Sequence, residues 1–283
     1  MKMRPIHLVI IIVIIIICAM VINYVYIGMV KESKENKTIQ GNKTIENIEI
    51  GTSKYNDHLD LDNRHIRLYN NIWGALGKEL NNKNLKLYVY YKSDDNFGWE
   101  WDRPDPSPGK YVTPVYSEAI IGAIPTQTYY TTDIFPIRYG DIKDWKSEIE
   151  FQYIKPPTGR YNLAYDIYWM EGKTKKFNIM IWVAGHHDEK PVGIVSDGIN
   201  EYIHYHRGPG KGQYWDFHLF ELKNQNVTNV KIDIKKLLDT IRDDNIDDNW
   251  IIPGMELGSE IFRGSGRIEI NKYMIDLNGN TLG

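Results

Sequence analysis

Two stretches of the chain set polar groups into apolar strands. In Lys176–Phe177–Asn178–Ile179–Met180–Ile181–Trp182–Val183, read as a strand, Phe177, Ile179, Ile181 and Val183 point one way and Asn178, Met180 and Trp182 the other. The first face is wholly apolar and belongs to a core. The second sets an amide, a thioether and an indole in a row, which suits the floor of a binding groove. In Gly258–Ser259–Glu260–Ile261–Phe262–Arg263–Gly264 a lone carboxylate sits between glycines and an aromatic ring.

The aromatic content indicates what a groove would hold. The sequence has eight tryptophans, more than a core of this size usually needs. Flat rings offer an apolar face to the C–H side of a sugar while their polar tips reach hydroxyls. Trp73, Trp99, Trp101, Tyr129, Tyr130, Tyr168, Trp169, Trp182 and Trp215 are the candidates for such stacking.

The elements that must position these groups read as strands. Short runs rich in Tyr, Ile and Val recur between Gly, Pro, Asn and Asp: 64–73, 85–91, 119–123, 147–153, 161–169, 177–183, 201–206, 215–222, 250–258 and 267–274. That spacing is the mark of an all-β sandwich or barrel. One segment departs from it. Val230, Ile234, Leu237, Leu238 and Ile241 fall at helical spacing, which predicts one amphipathic helix over 230–241 packed on the outside of a sheet.

Other features bound the function. The formal charge is −3 and basic residues are interleaved with acidic ones, so a nucleic-acid partner is excluded. The lone Cys18 rules out an internal disulfide and cysteine-based redox or metal chemistry. From Leu8 to Val30 the chain is almost wholly apolar and follows Lys2 and Arg4. A helix needs about 20 such residues to span a bilayer, so residues 1–30 are expected to be an uncleaved transmembrane anchor. Residues 31–63 read as a flexible polar stalk, and 64–283 as one monomeric β domain. Asn-x-Thr triplets at Asn36, Asn42 and Asn226 permit glycosylation and place the domain outside the cell. His186, His187, His204 and His206 do not converge in sequence and read as a surface turn and a cleft-edge strand, with no metal expected. The acidic run Asp243–Asp248 lacks the glycine and final glutamate of a calcium loop and reads as a solvated turn.

In order along the chain stand Asn70–Asn71–Ile72–Trp73–Gly74, Tyr165–Asp166–Ile167–Tyr168, Asn178–Ile179–Met180–Ile181–Trp182, Tyr214–Trp215–Asp216, the late helix and Leu257–Gly258–Ser259–Glu260–Ile261–Phe262–Arg263–Gly264. Over about residues 64–275 this order resembles glycoside hydrolase family 12, the endo-β-glucanases and xyloglucanases. The resemblance implies a jelly-roll, concanavalin A-like sandwich of two antiparallel sheets with one helix on the convex face, a cleft for β-glucan, and no cofactor. It implies that Glu260 is the general acid/base, that Asp166 bonds the nucleophile, that Trp73 stacks on sugar, and that Met180 and Trp182 form the substrate-binding cleft floor beside the nucleophile. The family nucleophile is a glutamate, and here that position holds Asn178.

A retaining glycosidase needs two carboxyls about 5–5.5 Å apart, and an amide can form no glycosyl ester. Three readings follow: hydrolysis by a modified route, with Asp166 or another carboxylate assisting water; a tethered glycan-binding protein; or a structural surface domain. Glu256 shares the strand face of Glu260 but lies about 13 Å along an extended chain, too far to make a retaining pair. It is expected to line the cleft floor, as are Trp99, Trp101 and Trp215 at its borders.

Overall fold

A computed structural model describes residues 49–283, apart from 82–83, 126, 211–213 and 243–245. The expected span, Asn36, Asn42 and the stalk up to residue 48 lie outside the described residues. Asn226 is exposed in the loop at 223–228.

Strands form where β-branched and aromatic side chains alternate with polar ones, and they assemble into two layers. The layer that will carry the site runs, neighbour to neighbour, β2 (His58–Leu61), β3 (Ile66–Asn71), β6 (Val115–Gly122), the first half of β17 (Gly254–Leu277), β10 (Leu163–Glu171), β11 (Thr174–Ala184), β14 (Asp216–Leu222), β13 (Glu201–Arg207) and β12 (Gly193–Ser196). All its pairings are antiparallel except β11 with β14. Short β9 (Arg160–Tyr161) pairs with β17, and β16 (Ile251–Ile252) joins β10 to β7 (Ile137–Arg138). The second layer runs β1 (Ile50–Thr52), β4 (Lys86–Ser93), β5 (Asn96–Arg103), the second half of β17, β8 (Trp145–Lys155) and β15 (Asn229–Asp233), with β18 (Asn280–Leu282) on the end of β17.

β17 therefore belongs to both layers. It changes layer near Gly264, whose φ is +98° and where a Cβ would come within 2.0 Å of the Thr158 carbonyl oxygen. Only glycine allows the two chains to approach so closely there.

Four expectations change. Within the expected stalk, residues 50–52 and 58–61 form two paired edge strands. Their few apolar residues give no period of their own, and pairing with β4 and β3 supplies the order. Trp99 and Trp101, expected at the cleft borders, are core, at most 1 % exposed, on β5. Phe97, Trp99 and Trp101 alternate with Gly98, Glu100 and Asp102, so the strand signal was present and was masked by the Pro-rich run that follows. Trp169 is likewise buried in the core. The segment 230–241 is half strand: β15 ends at Asp233, whose carboxylate accepts from the Lys236 N–H and caps a helix over only Ile234–Asp239. That helix packs on β8 and β12, and its Ile234, Leu237 and Leu238 enter the main core instead of lying on an outer face. A further short helix, Gly77–Asn81, also forms.

That short helix supplies Glu79 to a buried clamp. Arg103 on β5 is fully buried and grips the Glu79 carboxylate bidentately at 2.8 and 3.1 Å. Its remaining donors bond the carbonyls of Thr113 at 3.0 Å, Ile261 at 2.6 Å and Gly74 at 3.3 Å. One guanidinium thus ties the turn after Trp73 to the strand of Glu260.

Candidate active site

The outward face of the first layer, with the loops around it, encloses a cavity of about 700 Å³. Its floor comes from alternate residues of neighbouring strands. Asn178, Met180 and Trp182 of β11 stand beside Phe217 and Leu219 of β14, as the parallel register requires. Their in-between neighbours Phe177, Ile179, Ile181 and Val183 fill the core, as the alternation predicts.

A row of carboxyls crosses this floor. Asp166 on β10 lies opposite Glu256 on β17, and Glu118 on β6 lies opposite Gly258. At Gly258 a Cβ would meet Glu118 Cβ and the Tyr116 ring at 2.8 Å, so a side chain would push into the acidic row. Asn71 Nδ2 donates to Glu118 Oε1 at 3.1 Å. Asn178 Nδ2 donates to Asp166 Oδ1 at 2.5 Å and to the Ile167 carbonyl at 2.9 Å, while the Tyr168 hydroxyl donates to Asp166 Oδ2 at 2.9 Å.

Glu260 stands farther along β17 in the same cavity. Asn162 fixes it twice: its amide donates to Glu260 Oε2 at 2.7 Å, and its carbonyl accepts from the Glu260 N–H at 2.7 Å. Trp73, 64 % exposed, stands at the rim, where its N–H donates to Asn71 Oδ1 at 3.1 Å. Lys175 Nζ lies 3.9 Å from the Tyr168 ring centre and 5.4 Å from that of Trp215.

The opposite wall is the turn His187–Asp188–Glu189 with Arg160 and Arg207. Buried Glu221 holds it, accepting from the His187 N–H at 3.1 Å and the Tyr205 hydroxyl at 3.1 Å and bonding His186 Nδ1 at 3.0 Å. Arg160 pairs with Asp188 at 3.1 Å, and Arg207 with Glu189 at 3.5 Å. The two histidine pairs stay apart, as expected. His204 and His206 project from the other face of β13, away from Tyr205 and Glu221.

Burial sets the protonation of the row. It pushes Asp166 up to about 6, against hydrogen bonds from Asn178 and Tyr168 and the charge of Lys175. Glu260 rises to about 7, by burial and then by the Asp166 charge, with Asn162, Arg160 and Arg207 opposing. Burial pushes Glu118 up to about 7 and lifts Glu256 well above the usual carboxylate range, where the charges of Glu118 and Asp166 add to it.

Each of the four carboxyls is thus easier to ionise in the unfolded chain, where values lie near 4. Their contribution to stability is fully present below about 4 and is lost as pH rises through about 6 to about 7. The urea midpoint is expected to fall between pH 5 and pH 8, and Glu256→Gln is expected to flatten that fall by raising the pH 8 value. Equal slopes in the two proteins would mean the row is not strained.

The profile of glycosyl hydrolase family 12 matches residues 66–278, three quarters of the chain. The chain belongs to glycosyl hydrolase family 12. "Endoglucanase S" of Pectobacterium parmentieri is 26% identical over 240 residues, covering 78% of this chain and 85% of that protein. The family 12 xyloglucanase of Bacillus licheniformis superposes with a TM-score of 0.69 at 23% identity, over 81% of this chain and 100% of that one. Endoglucanase cel12A of Rhodothermus marinus gives 0.65 at 18% identity, over 82% and 100%. These structures share the sandwich fold with this family 12 member.

Of the residues singled out in sequence, Trp73, Asp166, Asn178, Met180, Trp182, Trp215, Glu256 and Glu260 of the family 12 domain meet in one cavity, and Trp99 and Trp101 do not. Trp99 lies beneath instead, its Nε1–H donating to Ser259 Oγ at 2.9 Å under the strand of Glu260. Glu118, Asn162, Arg160, Arg207 and Glu221 were missed. Glu118 left a signal: it is the lone carboxyl in the buried run Val115–Gly122, the same pattern that exposed Glu260.

Proposed function

We propose that this family 12 protein is a membrane-anchored hydrolase of a β-glucan-type polysaccharide that works without a carboxylate nucleophile. Glu260 donates a proton to the departing glycosidic oxygen, and Asp166 takes one from the attacking water. The observation that carries this reading is the pairing of Asp166 and Glu260 in one cavity with values of about 6 and about 7. Between those values much of Asp166 is ionised while much of Glu260 keeps its proton, the division of labour that inversion requires.

Asn178 then acts as a positioning residue. Its amide at 2.5 Å favours the charged form of Asp166 and fixes one oxygen, and Tyr168 fixes the other. Each oxygen keeps a second lone pair for water. Trp73 stacks against sugar at the rim, and Met180, Trp182, Trp215 and Glu256 line the bound chain. The endoglucanase and xyloglucanase names of the relatives support a β-glucan substrate. The apolar run Leu8–Val30 supports the anchor, with the domain outside the cell.

A second reading has its own support. Asn178 is buried and its amide is bonded to Asp166, Ile167 and Ile179, so the floor is complete as a neutral binding surface. A tethered glycan-binding protein needs nothing more.

New reducing ends and product anomer, followed on β-1,4-glucan, mixed-linkage glucan and xyloglucan, separate the two. Release with inverted configuration is expected from the native chain, and a change to retention in Asn178→Glu. Binding with release only in Asn178→Glu would establish the receptor instead.

A further inference from the structure

Behind the cleft wall, on the face of β13 and β14 turned away from the cavity, lies a nitrogen-rich cluster that the proposed reaction does not use. Antiparallel register sets His206 directly opposite His218, and Asp216 precedes His218 by two residues on the same face. The ligand atoms of His206, Asp216 and His218 all lie within 4.8 Å of one another. His206 Nε2 is 2.6 Å and His218 Nε2 3.9 Å from the same Asp216 oxygen, Oδ1.

A third imidazole completes the pattern. His204 Nε2 lies 2.9 Å from His218 Nδ1. If the His218 Nδ1–H donates in that contact, its Nε2 presents a lone pair toward Asp216 and His206. This is the outer-shell support that ligating histidines usually have. His218 is also fixed mechanically: it is fully buried and stacked between Phe177, His204 and His206.

We propose that His206, Asp216 and His218 form a binding site for a zinc-like divalent cation, with His204 orienting His218 and water completing the coordination. Two imidazoles and one carboxylate suit a borderline cation and not calcium or magnesium, which take all-oxygen shells. Ligand bonds of about 2.0–2.2 Å require the His206–Asp216 contact to open and the His218–Asp216 contact to close. His206 is the group that can move, since it is exposed at the edge, and its ring, now 14° from parallel with His218, turns about χ2 to face the ion. The neighbours of two ligands give the site a consequence. Arg207 follows His206 and Trp215 precedes Asp216, and both line the cavity from the other face. A cation here staples the two strands that carry that part of the cleft wall.

The test uses the full-length chain in detergent, stripped with chelator and titrated with Co²⁺ and Zn²⁺. Expected are one equivalent of bound ion by calorimetry, the strong visible absorption of low-coordinate Co²⁺, and a rise in Tm with Zn²⁺. His206→Ala and Asp216→Asn should abolish all three, and His204→Ala should weaken binding about 10–100-fold. His186→Ala, at the other histidine pair, should change nothing. Failure of the folded native chain to bind Co²⁺ or Zn²⁺ overturns the proposal. So does binding that survives His206→Ala and Asp216→Asn, whatever the outcome of the hydrolysis assay.

Discussion

Glu260→Gln is expected to lower hydrolysis by roughly 10²–10⁴-fold, the range a positioned general acid supplies, while leaving glycan affinity within a few-fold. The substitution keeps shape and volume. The new amide oxygen can still accept from Asn162, and the Glu260 N–H contact to the Asn162 carbonyl involves only backbone on this side. What is lost is the proton. The native protein should show a narrow bell-shaped pH profile of hydrolysis, its acid limb near the Asp166 value of about 6 and its alkaline limb near the Glu260 value of about 7. Whatever activity remains in Glu260→Gln should lack the alkaline limb. Initial rates of reducing-end release across pH 4.5–9 decide the matter: a variant with native rates and an unchanged profile would remove Glu260 from the chemistry.

Arg103→Met is the second large effect, and it acts on stability. Removing one partner of a buried ion pair costs about 3–5 kcal/mol, because the other charge is stranded. Here Glu79 would be left in the interior, and the carbonyls of Gly74, Thr113 and Ile261 would lose a donor. Urea unfolding should show a midpoint shifted down by ~1–3 M at an ordinary denaturant slope. The double variant Arg103→Met/Glu79→Met should recover part of the loss, since replacing both members removes the stranded charge. A single variant as stable as the native protein would show that the clamp contributes geometry without net stability.

Much of the floor was legible because its signals are local. The alternation in 177–183 sorts core from cleft without knowledge of any partner, and Glu260 is the lone carboxylate of the short run Gly258–Gly264. The acidic row was not legible, because it exists only across strands. Glu118, Glu256 and Asp166 are far apart in sequence, and nothing short of the β6–β17–β10 register makes them neighbours. The same limit hid Glu221, which organises the turn at 186–189 from another strand. Trp99 and Trp101 were misplaced for a different reason. A tryptophan on a strand of a two-layer sandwich has two possible faces, and composition does not say which faces the other layer. The helix was overextended because Val230 and Ile232 serve the core from a strand as well as Ile234 and Leu237 do from a helix.

The double membership of β17 bears on how this molecule can change over evolutionary time. The strand that holds Glu256 and Glu260 continues into the second layer between β5 and β8, so a substitution that disturbs it is felt by both sheets at once. Selection for folding alone therefore keeps that backbone in place, even in a lineage where turnover has ceased to matter. The side chains of the cavity rim lie outside both sheets: Trp73, 64 % exposed, stands on a turn, and Asp188 and Glu189 stand on a loop. Drift in this protein is thus channelled toward what it binds, and the frame that presents its carboxyls is inherited along with the fold.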